Sequence, residues 1–182
     1  MPDPVLILDT GSPVTSVAVA RGGEVVAARS VGTERSSTRL LEMVREVLEE
    51  AGLEMAGLGG IAVLRGPGSF TGVRIGLATV LGFHQALGLP VATPTSFEAL
   101  AAEAPDDAEI VIAAVDALRG EWSVQVFGLA APGEPELVAG PELPRLAGEA
   151  GRHSGVVIGF GVSRLADLPG WPAALRLVEP CP

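Results

Sequence analysis

The chain contains no lysine, because all 12 basic residues among its 182 are arginine. Walker-type phosphate loops, Schiff-base enzymes and serine–lysine dyads each need a lysine side chain, so these three chemistries are excluded. Histidine and cysteine are also scarce. His84 and His153 have no Cys or His at metal-binding spacing, and Cys181 has no partner for an intrachain disulfide. Neither a zinc site nor a structural disulfide is therefore expected.

Positive charge and long hydrophobic runs are limited as well. The formal net charge is -10, whereas a nucleic-acid backbone is held by a basic footprint. Any RNA contact is therefore expected to come through a partner. The only candidate membrane span, 75–89, is too short to cross a bilayer and contains His84 and Gln85. No basic segment followed by a cleavable apolar stretch opens the chain. These absences predict a soluble, cytoplasmic protein without membrane contact.

An apolar content of 48% is enough for a buried core in one domain or two small lobes. Hydrophobic periodicity and turn residues predict a first lobe with an antiparallel meander of strands at 5–8, 14–20 and 24–30, helices at 37–51, 72–87 and 96–103, and strands at 60–64 and 89–92. A composition break at 104–107 separates domains 1–104 and 105–182. The second lobe is predicted to contain paired strands at 110–115 and 122–129, a short helix at 145–150 and a strand at 156–158.

The most informative segment that is present is the glycine-rich loop at 66–76, which leads directly into an apolar helix. Glycine lets a ligand approach closely, and the N-terminus of a helix attracts anions. The spacing nevertheless fits neither common nucleotide motif. Five residues separate Gly66 from Gly72, and Val73 stands where a Walker loop requires lysine. Thr71 occupies the third glycine position of a dinucleotide fingerprint.

Asp9 ends an apolar strand and begins the sequence Asp-Thr-Gly-Ser. This sequence is typical of an aspartic protease half-site, but that fold is all-β, whereas 37–103 is predicted to contain three helices. It also resembles the first phosphate loop of actin-like ATPases. The interpretation we favour is an Asx-type turn that closes the first hairpin. Asp116 ends a second apolar strand in the same way, so the two segments form an internal echo of each other.

Other polar residues have equally simple structural explanations. Asp116, Arg119 and Glu121 are interpreted as an exposed ion pair at a hairpin end, which contributes little to stability. His84 lies late in an apolar helix with no carboxylate one turn away to orient it. No nucleophile–base pair can be assembled from the sequence.

The helix at 72–87 carries two apolar stripes on different sides. One consists of mostly small residues: Gly72, Gly76, Thr79, Phe83 and Ala86. Its two glycines cost helix stability of roughly 0.5 to 1 kcal/mol each, which indicates close approach of another backbone. That backbone belongs either to the lobe's own sheet and third helix or to another subunit, and the sequence leaves both alternatives open.

Several segments together resemble the TsaB (YeaZ) family. The long run Arg65–Gly76 carries most of the resemblance, and Ile7–Thr10, Arg39–Leu41, Ala114–Ala117 and Gly120–Glu121 extend it over about the first 130 residues. The resemblance implies an α/β fold of two actin-like, ribonuclease-H-like lobes with mixed sheets flanked by helices. The second lobe is expected to be smaller and to lack the family's last helix, since the chain stops at Pro182.

The same resemblance implies a function. TsaB-like chains are non-catalytic accessory subunits in the threonylcarbamoylation of transfer RNA, and they pair with the TsaD-type catalytic subunit, or with themselves, through the two helices 37–51 and 72–87. The implied interface residues are Leu40, Leu41, Val44, Gly72, Arg74, Gly76, Thr79 and Phe83. A TsaE-type ATPase is an expected further component of the complex, and transfer RNA is contacted only through that complex.

The resemblance also assigns the remaining candidate residues. Gly66, Pro67, Gly68, Ser69, Phe70 and Thr71 form a conformational loop, and Asp9 and Gly11 form a vestigial nucleotide site. No cofactor is expected beyond weak nucleotide binding there. The catalytic relative holds its metal through two histidines on the first helix, which 34–39 lacks, so no metal is expected. The family's Asp-Ala-Arg is Asp116-Ala117-Leu118-Arg119 here, which displaces the arginine by one position.

Two alternatives stay open. The first is an actin-like nucleotide hydrolase or peptidase that uses Asp9 and Asp116, and the second is a plain self-dimer through the same helix pair. For the scaffold interpretation, Gly76→Leu is expected to abolish heterodimer formation and to leave the monomer folded.

Overall fold

A computed structural model describes residues 3–32, 36–128, 132–143, 145–146, 155–169, 171–172 and 175–181. The chain divides into two compact units, Met1–Thr95 and Ser96–Cys181.

The first unit is built on a mixed five-stranded sheet. Its strands are β1 Val5–Asp9, β2 Val14–Arg21, β3 Glu24–Gly32, β4 Gly60–Val63 and β5 Val91–Ala92, in the order β3-β2-β1-β4-β5. The first three pair antiparallel, as the meander predicts, while β4 and β5 run parallel to β1. Alternate residues of β1 and β2 are buried, which is the period-2 pattern of a sheet with one face on the core.

Two helices cover the core face of this sheet. Helix α1, Ser36–Glu50, buries an apolar stripe in the core, while its charged residues lie on the other faces. Helix α2, Phe70–Leu87, begins two residues earlier than predicted, because Ser69 caps it and its Oγ accepts a hydrogen bond from the N–H of Gly72 (3.2 Å). Gly88, with φ 69°, ends the helix in the left-handed conformation that favours glycine.

The second unit repeats the topology of the first. It contains helix α3 Ser96–Ala102 and strands β6 Ile110–Leu118, β7 Glu121–Phe127, β8 Glu136–Ala139, β9 Gly155–Ile158 and β10 Leu175–Val178, in the order β10-β9-β6-β7-β8. As in the first unit, the first three strands pair antiparallel and the last two run parallel to the first. This repeated mixed sheet confirms the predicted fold class, two ribonuclease-H-like lobes of the actin-like kind.

The details of the second unit differ from the sequence prediction in three ways. The division lies between Thr95 and Ser96, not at 104–105, because Phe97 and Leu100 of α3 pack on β6 and β9. Strands β8 and β10 lie in Pro- and Gly-rich sequence that gives no strand signal. The predicted helix at 145–150 lies mostly outside the described residues.

Thr15 on β2 has a buried hydroxyl group. It has no hydrogen-bond partner among the residues that the structure describes. Burying a hydroxyl without a partner costs about 1–3 kcal/mol. We expect Thr15→Val to raise the free energy of unfolding of the first unit by about 1 kcal/mol, measured by urea denaturation. The matched control is Thr10→Val, which should lower it, because the Thr10 hydroxyl donates to the carbonyl oxygen of Gly72 (2.7 Å). A Thr15→Val protein that is no more stable than wild type would contradict this account.

None of the helices in the described ranges is long and apolar enough to cross a membrane.

Candidate partner interface on the first unit

The glycine-rich loop is bonded to the turn that follows β1. The N–H of Ser69 donates to the carbonyl oxygen of Gly11 (2.7 Å), and the Thr10 hydroxyl donates to the carbonyl oxygen of Gly72 (2.7 Å). Gly68 fits only because it has no side chain, since a Cβ there would lie 2.9 Å from the carbonyl carbon of Gly11. The loop residues 66–71 therefore fasten the start of α2 to the end of β1.

Asp9 forms the Asx-type turn that the sequence favours. Its Oδ1 accepts hydrogen bonds from the N–H groups of Gly11 (2.9 Å) and Ser12 (3.2 Å). The site predicted at Asp9 and Gly11 is tightly packed as well, because a Cβ on Gly11 would lie 2.9 Å from Cγ2 of Val73. These contacts account for the turn without a ligand.

Gly72 and Gly76 are buried within the first unit, so their assignment to a partner interface is corrected. A Cβ on Gly72 would overlap the carbonyl oxygen of Thr10, and one on Gly76 would overlap the Thr10 hydroxyl and lie 3.2 Å from Cγ2 of Val63. The backbone that these glycines approach is therefore the lobe's own. The expectation that Gly76→Leu spares the fold is wrong for the same reason, since leucine has no space there.

The predicted interface residues of α1 also separate into two groups. Leu40 and Val44 are buried in the core, whereas the side chain of Leu41 is 63% exposed. Leu40 is thus a core residue and not an interface residue. Val44 contributes to the floor of a surface groove, and Leu41 stands at its edge.

This groove lies between α1 and α2 and has a volume of about 380 Å³. We call it the α1–α2 groove. Phe83 lines it from α2 and is half-buried. Thr79, one turn earlier in α2, is also half-buried but is not part of the groove lining. The lining residues are Leu41, Val44, Arg45, Leu48, Glu49, Leu53, Glu54, Met55 and Phe83. The groove is therefore an apolar channel with charged side chains at its border.

Gly82 has no neighbour in the described part of the first unit that would exclude a side chain. It is exposed in the interior of α2, and a Cβ there would have nothing within 4 Å. Exposed Ala78 and Ala86 lie one turn before and after it, so three small residues follow one another on one side of the helix. Gly82 is not among the predicted interface residues, although its i, i+4 spacing from Ala78 and Ala86 is visible in the sequence.

Arg74, at the start of α2, is exposed and stacks on the ring of Phe70, with 4.1 Å from its guanidinium carbon to the ring centroid. Phe70 is itself exposed. The pair extends the exposed side of α2 towards the glycine-rich loop.

An ion pair of α1 lines the groove, since Arg45 pairs with Glu49 (2.7 Å). Elsewhere on α1, Arg39 pairs with Glu42 (3.0 Å) and Glu46 (3.2 Å). The hydrogen bond that Arg39 donates to the carboxylate of Glu42 is the main cause that raises the pKa of Arg39. These exposed pairs contribute little to stability. The charged residues that line the groove are Glu49, Glu54 and Arg45, which are two carboxylates and one guanidinium. The border of the groove is therefore acidic.

The charged residues predicted at the β6–β7 hairpin do not pair with one another. Asp116 pairs instead with Arg164 (2.6 Å), a contact between residues too far apart in sequence for any local pattern to reveal. Burial alone would raise the pKa of Asp116, but Arg164 and the N–H of Leu118 outweigh it and lower the pKa.

His84 is accounted for within the first unit. Its Nδ1 lies 2.7 Å from the carbonyl oxygen of Leu89, just past the end of α2. Among the described residues, no three His, Cys, Asp or Glu side chains are grouped to hold a metal.

Comparison with known proteins shows which protein family the chain is similar to. The family model TsaD, tRNA N6-adenosine threonylcarbamoyltransferase, matches residues 26–130. The tRNA threonylcarbamoyladenosine biosynthesis protein TsaB of Haemophilus influenzae is 36% identical over 119 residues, which are 64% of this chain and 50% of that protein. TsaB of Escherichia coli is 34% identical over 119 residues, with 64% and 52% covered. The chain thus spans about half the length of these curated relatives.

A solved structure extends the comparison over nearly the whole chain. It is a Pseudomonas aeruginosa protein described as similar to peptidase YEAZ, with a TM-score of 0.82, 30% identity, and coverage of 98% of this chain and 85% of that one. The family model, the TsaB relatives and this structure agree with the glycine-rich loop and the repeated sheet topology. The chain belongs to the TsaB (YeaZ) family.

Proposed function

We propose that this chain is a non-catalytic subunit in the biosynthesis of threonylcarbamoyladenosine in transfer RNA, and that it binds a TsaD-type threonylcarbamoyl transferase. The names of the TsaB relatives and of the matching family model support the pathway. The observation that carries the proposal is the open face made by the α1–α2 groove together with Gly82. We call this surface the helix-pair face.

The helix-pair face has the properties of a site for another helix pair. Leu41 is exposed at its edge, and Val44, Leu48 and Phe83 offer apolar surface beneath it. Gly82 costs α2 about 1 kcal/mol relative to alanine and serves no contact within the unit. A helix without a side chain at that point allows a second helix backbone to approach closely. An exposed apolar patch of this kind marks a binding surface on a soluble protein.

The proposed partner is therefore the matching helix pair of a TsaD-type subunit, and in its absence a second copy of this chain. A TsaE-type ATPase joins the assembled complex, and transfer RNA is reached through that complex, in keeping with the net charge of -10. We further propose that the chain acts in the cytoplasm without metal or cofactor of its own. No observation favours the hydrolase alternative, since Asp9 is engaged in its own turn and Asp116 pairs with Arg164.

The test is reconstitution. The chain, a TsaD-type subunit and a TsaE-type ATPase are purified, mixed with transfer RNA, ATP and a threonylcarbamoyl donor, and the modified nucleoside is quantified by mass spectrometry. Modification is expected only when both the chain and the TsaD-type subunit are present, and light scattering is expected to show a complex of the two. If the chain alone hydrolyses ATP or a peptide, and Asp9→Asn removes that activity, the proposal is overturned in favour of the enzyme.

A further inference from the structure

One end of the α1–α2 groove lies at the C-terminus of α1. Beyond Glu50, the last residue of the helix, the chain lines the groove with Leu53, Glu54 and Met55. The last turn of α1 contains Glu49 and Glu50 and no basic residue. The free carbonyl groups at a helix C-terminus are equivalent to about half a negative charge, which basic side chains normally offset. This end of the groove therefore has a negative potential that α1 itself does not offset.

Glu54 differs from the other carboxylates at this end because it has no partner among the described residues. Glu49 pairs with Arg45 (2.7 Å). Glu50 pairs with Arg29 (2.6 Å). The side chain of Glu54 is exposed, it forms no ion pair or hydrogen bond in the described ranges, and it does not cap the helical turn that follows it. Its carboxylate is therefore free to bind a cation from outside the unit.

The apolar lining of the groove makes this free carboxylate selective. Leu48, Leu53 and Phe83 line the same groove as Glu54. When a partner helix fills the groove, water leaves it, and a charge interaction there is screened less than on an open surface. A basic side chain opposite Glu54 then gains an ion pair, whereas an acidic or apolar one leaves the carboxylate desolvated without a partner. The groove thus discriminates between partner helices by their charge.

We propose that Glu54 is a specificity-determining residue of the helix-pair face, and that the groove is occupied by a helix of the TsaD-type subunit that carries an arginine or a lysine opposite Glu54. This inference rests on the proposed function and deepens it. A second copy of the chain fits less well, because each copy has a net charge of -10 and brings the same acidic groove border to the contact. The self-pair is therefore the weaker of the two complexes.

The first test is the salt dependence of both complexes, formed by the full chain. Calorimetry measures its affinity for the TsaD-type subunit, and analytical ultracentrifugation measures its self-association. Affinity for the TsaD-type subunit should fall at high salt, because screening weakens an attraction, and self-association should strengthen, because screening weakens a repulsion. The opposite sign for either complex, or a self-pair that is tighter than the complex with the TsaD-type subunit, would overturn the proposal.

The second test removes or reverses the charge at position 54. Glu54→Gln should weaken binding to the TsaD-type subunit about tenfold, and Glu54→Lys by more than about a hundredfold. Both variants should strengthen self-association. Their melting temperatures should match the wild type, because the Glu54 side chain is exposed and makes no contact of its own in the described ranges.

Glu24→Gln is the matched control. Glu24 is another exposed carboxylate of the first unit without an ion pair in the part of the chain that the structure describes, and it lies outside the groove lining. This variant should bind like the wild type. If Glu54→Gln binds as tightly as Glu24→Gln does, the charge selection is refuted while the proposed function stands. If the wild type does not bind the TsaD-type subunit at any salt concentration, the proposed function fails, and this inference fails with it.

Discussion

Gly72→Ala is expected to lower the free energy of unfolding of the first unit by about 3 kcal/mol or more, whereas Gly82→Ala in the same helix should raise it by up to about 1 kcal/mol. At position 72 the added methyl group would overlap the carbonyl oxygen of Thr10 and lie 2.9 Å from its carbonyl carbon. Thr10 cannot move aside without breaking its hydrogen bond to Gly72. At position 82 the methyl group would meet nothing within 4 Å, so only the better helix propensity of alanine remains.

The measurement is urea denaturation of both variants and the wild type, with circular dichroism as the signal that monitors unfolding. The two substitutions are chemically identical and lie in one helix, so a difference in sign isolates the local contact from helix propensity. Equal destabilisation by both would show that the start of α2 is not fastened to β1 as described.

Leu41→Glu and Gly82→Leu are each expected to weaken binding to the TsaD-type subunit by more than about a hundredfold. Leu41→Glu places a charge at the edge of the α1–α2 groove, whose border is already acidic. Gly82→Leu fills the point where a partner helix is proposed to approach. Both positions are exposed, so the isolated chain should remain folded.

Binding is measured by calorimetry, with circular dichroism to verify folding. Leu81→Glu is the matched control: Leu81 is also exposed on α2, but it lines a separate groove between α2 and the strands β4 and β5. The control should bind nearly as tightly as the wild type. Should Leu41→Glu and Gly82→Leu retain wild-type affinity, the helix-pair face is not the contact.

Periodicity and turn chemistry predict most of the first unit. Strands β1 to β3 are short, largely apolar segments separated by turns that contain glycine, and α1 has a regular apolar stripe, so local sequence is enough to define them. The predicted start of α2 is two residues too late, because the helix cap Ser69 lies inside a glycine-rich loop, where helix propensity is low. Strands β8 and β10 are short and depend on their neighbours in the sheet for stability.

The site shows more clearly what a sequence does not contain. In the sequence, Gly72, Gly76 and Gly82 are three glycines of one helix with nothing to distinguish them. Each could mark a point where another backbone packs closely against α2. Which of them approaches the lobe's own strand depends on the rotation of α2 about its axis, and this is set by Thr10 and Val63 from other elements. The pairing of Asp116 with Arg164 has the same origin, since topology alone brings the two residues together.

The attachment of α2 to the end of β1 also determines how the chain would meet a partner. A helix held at its first turn by Thr10 and Ser69 has little freedom to tilt or slide. Recognition elements that are rigid before contact lose little conformational entropy when a complex forms, so more of the contact energy appears as affinity. The glycine-rich loop resembles a phosphate-binding loop in sequence. Its role here is to fix the orientation of α2 before a partner binds.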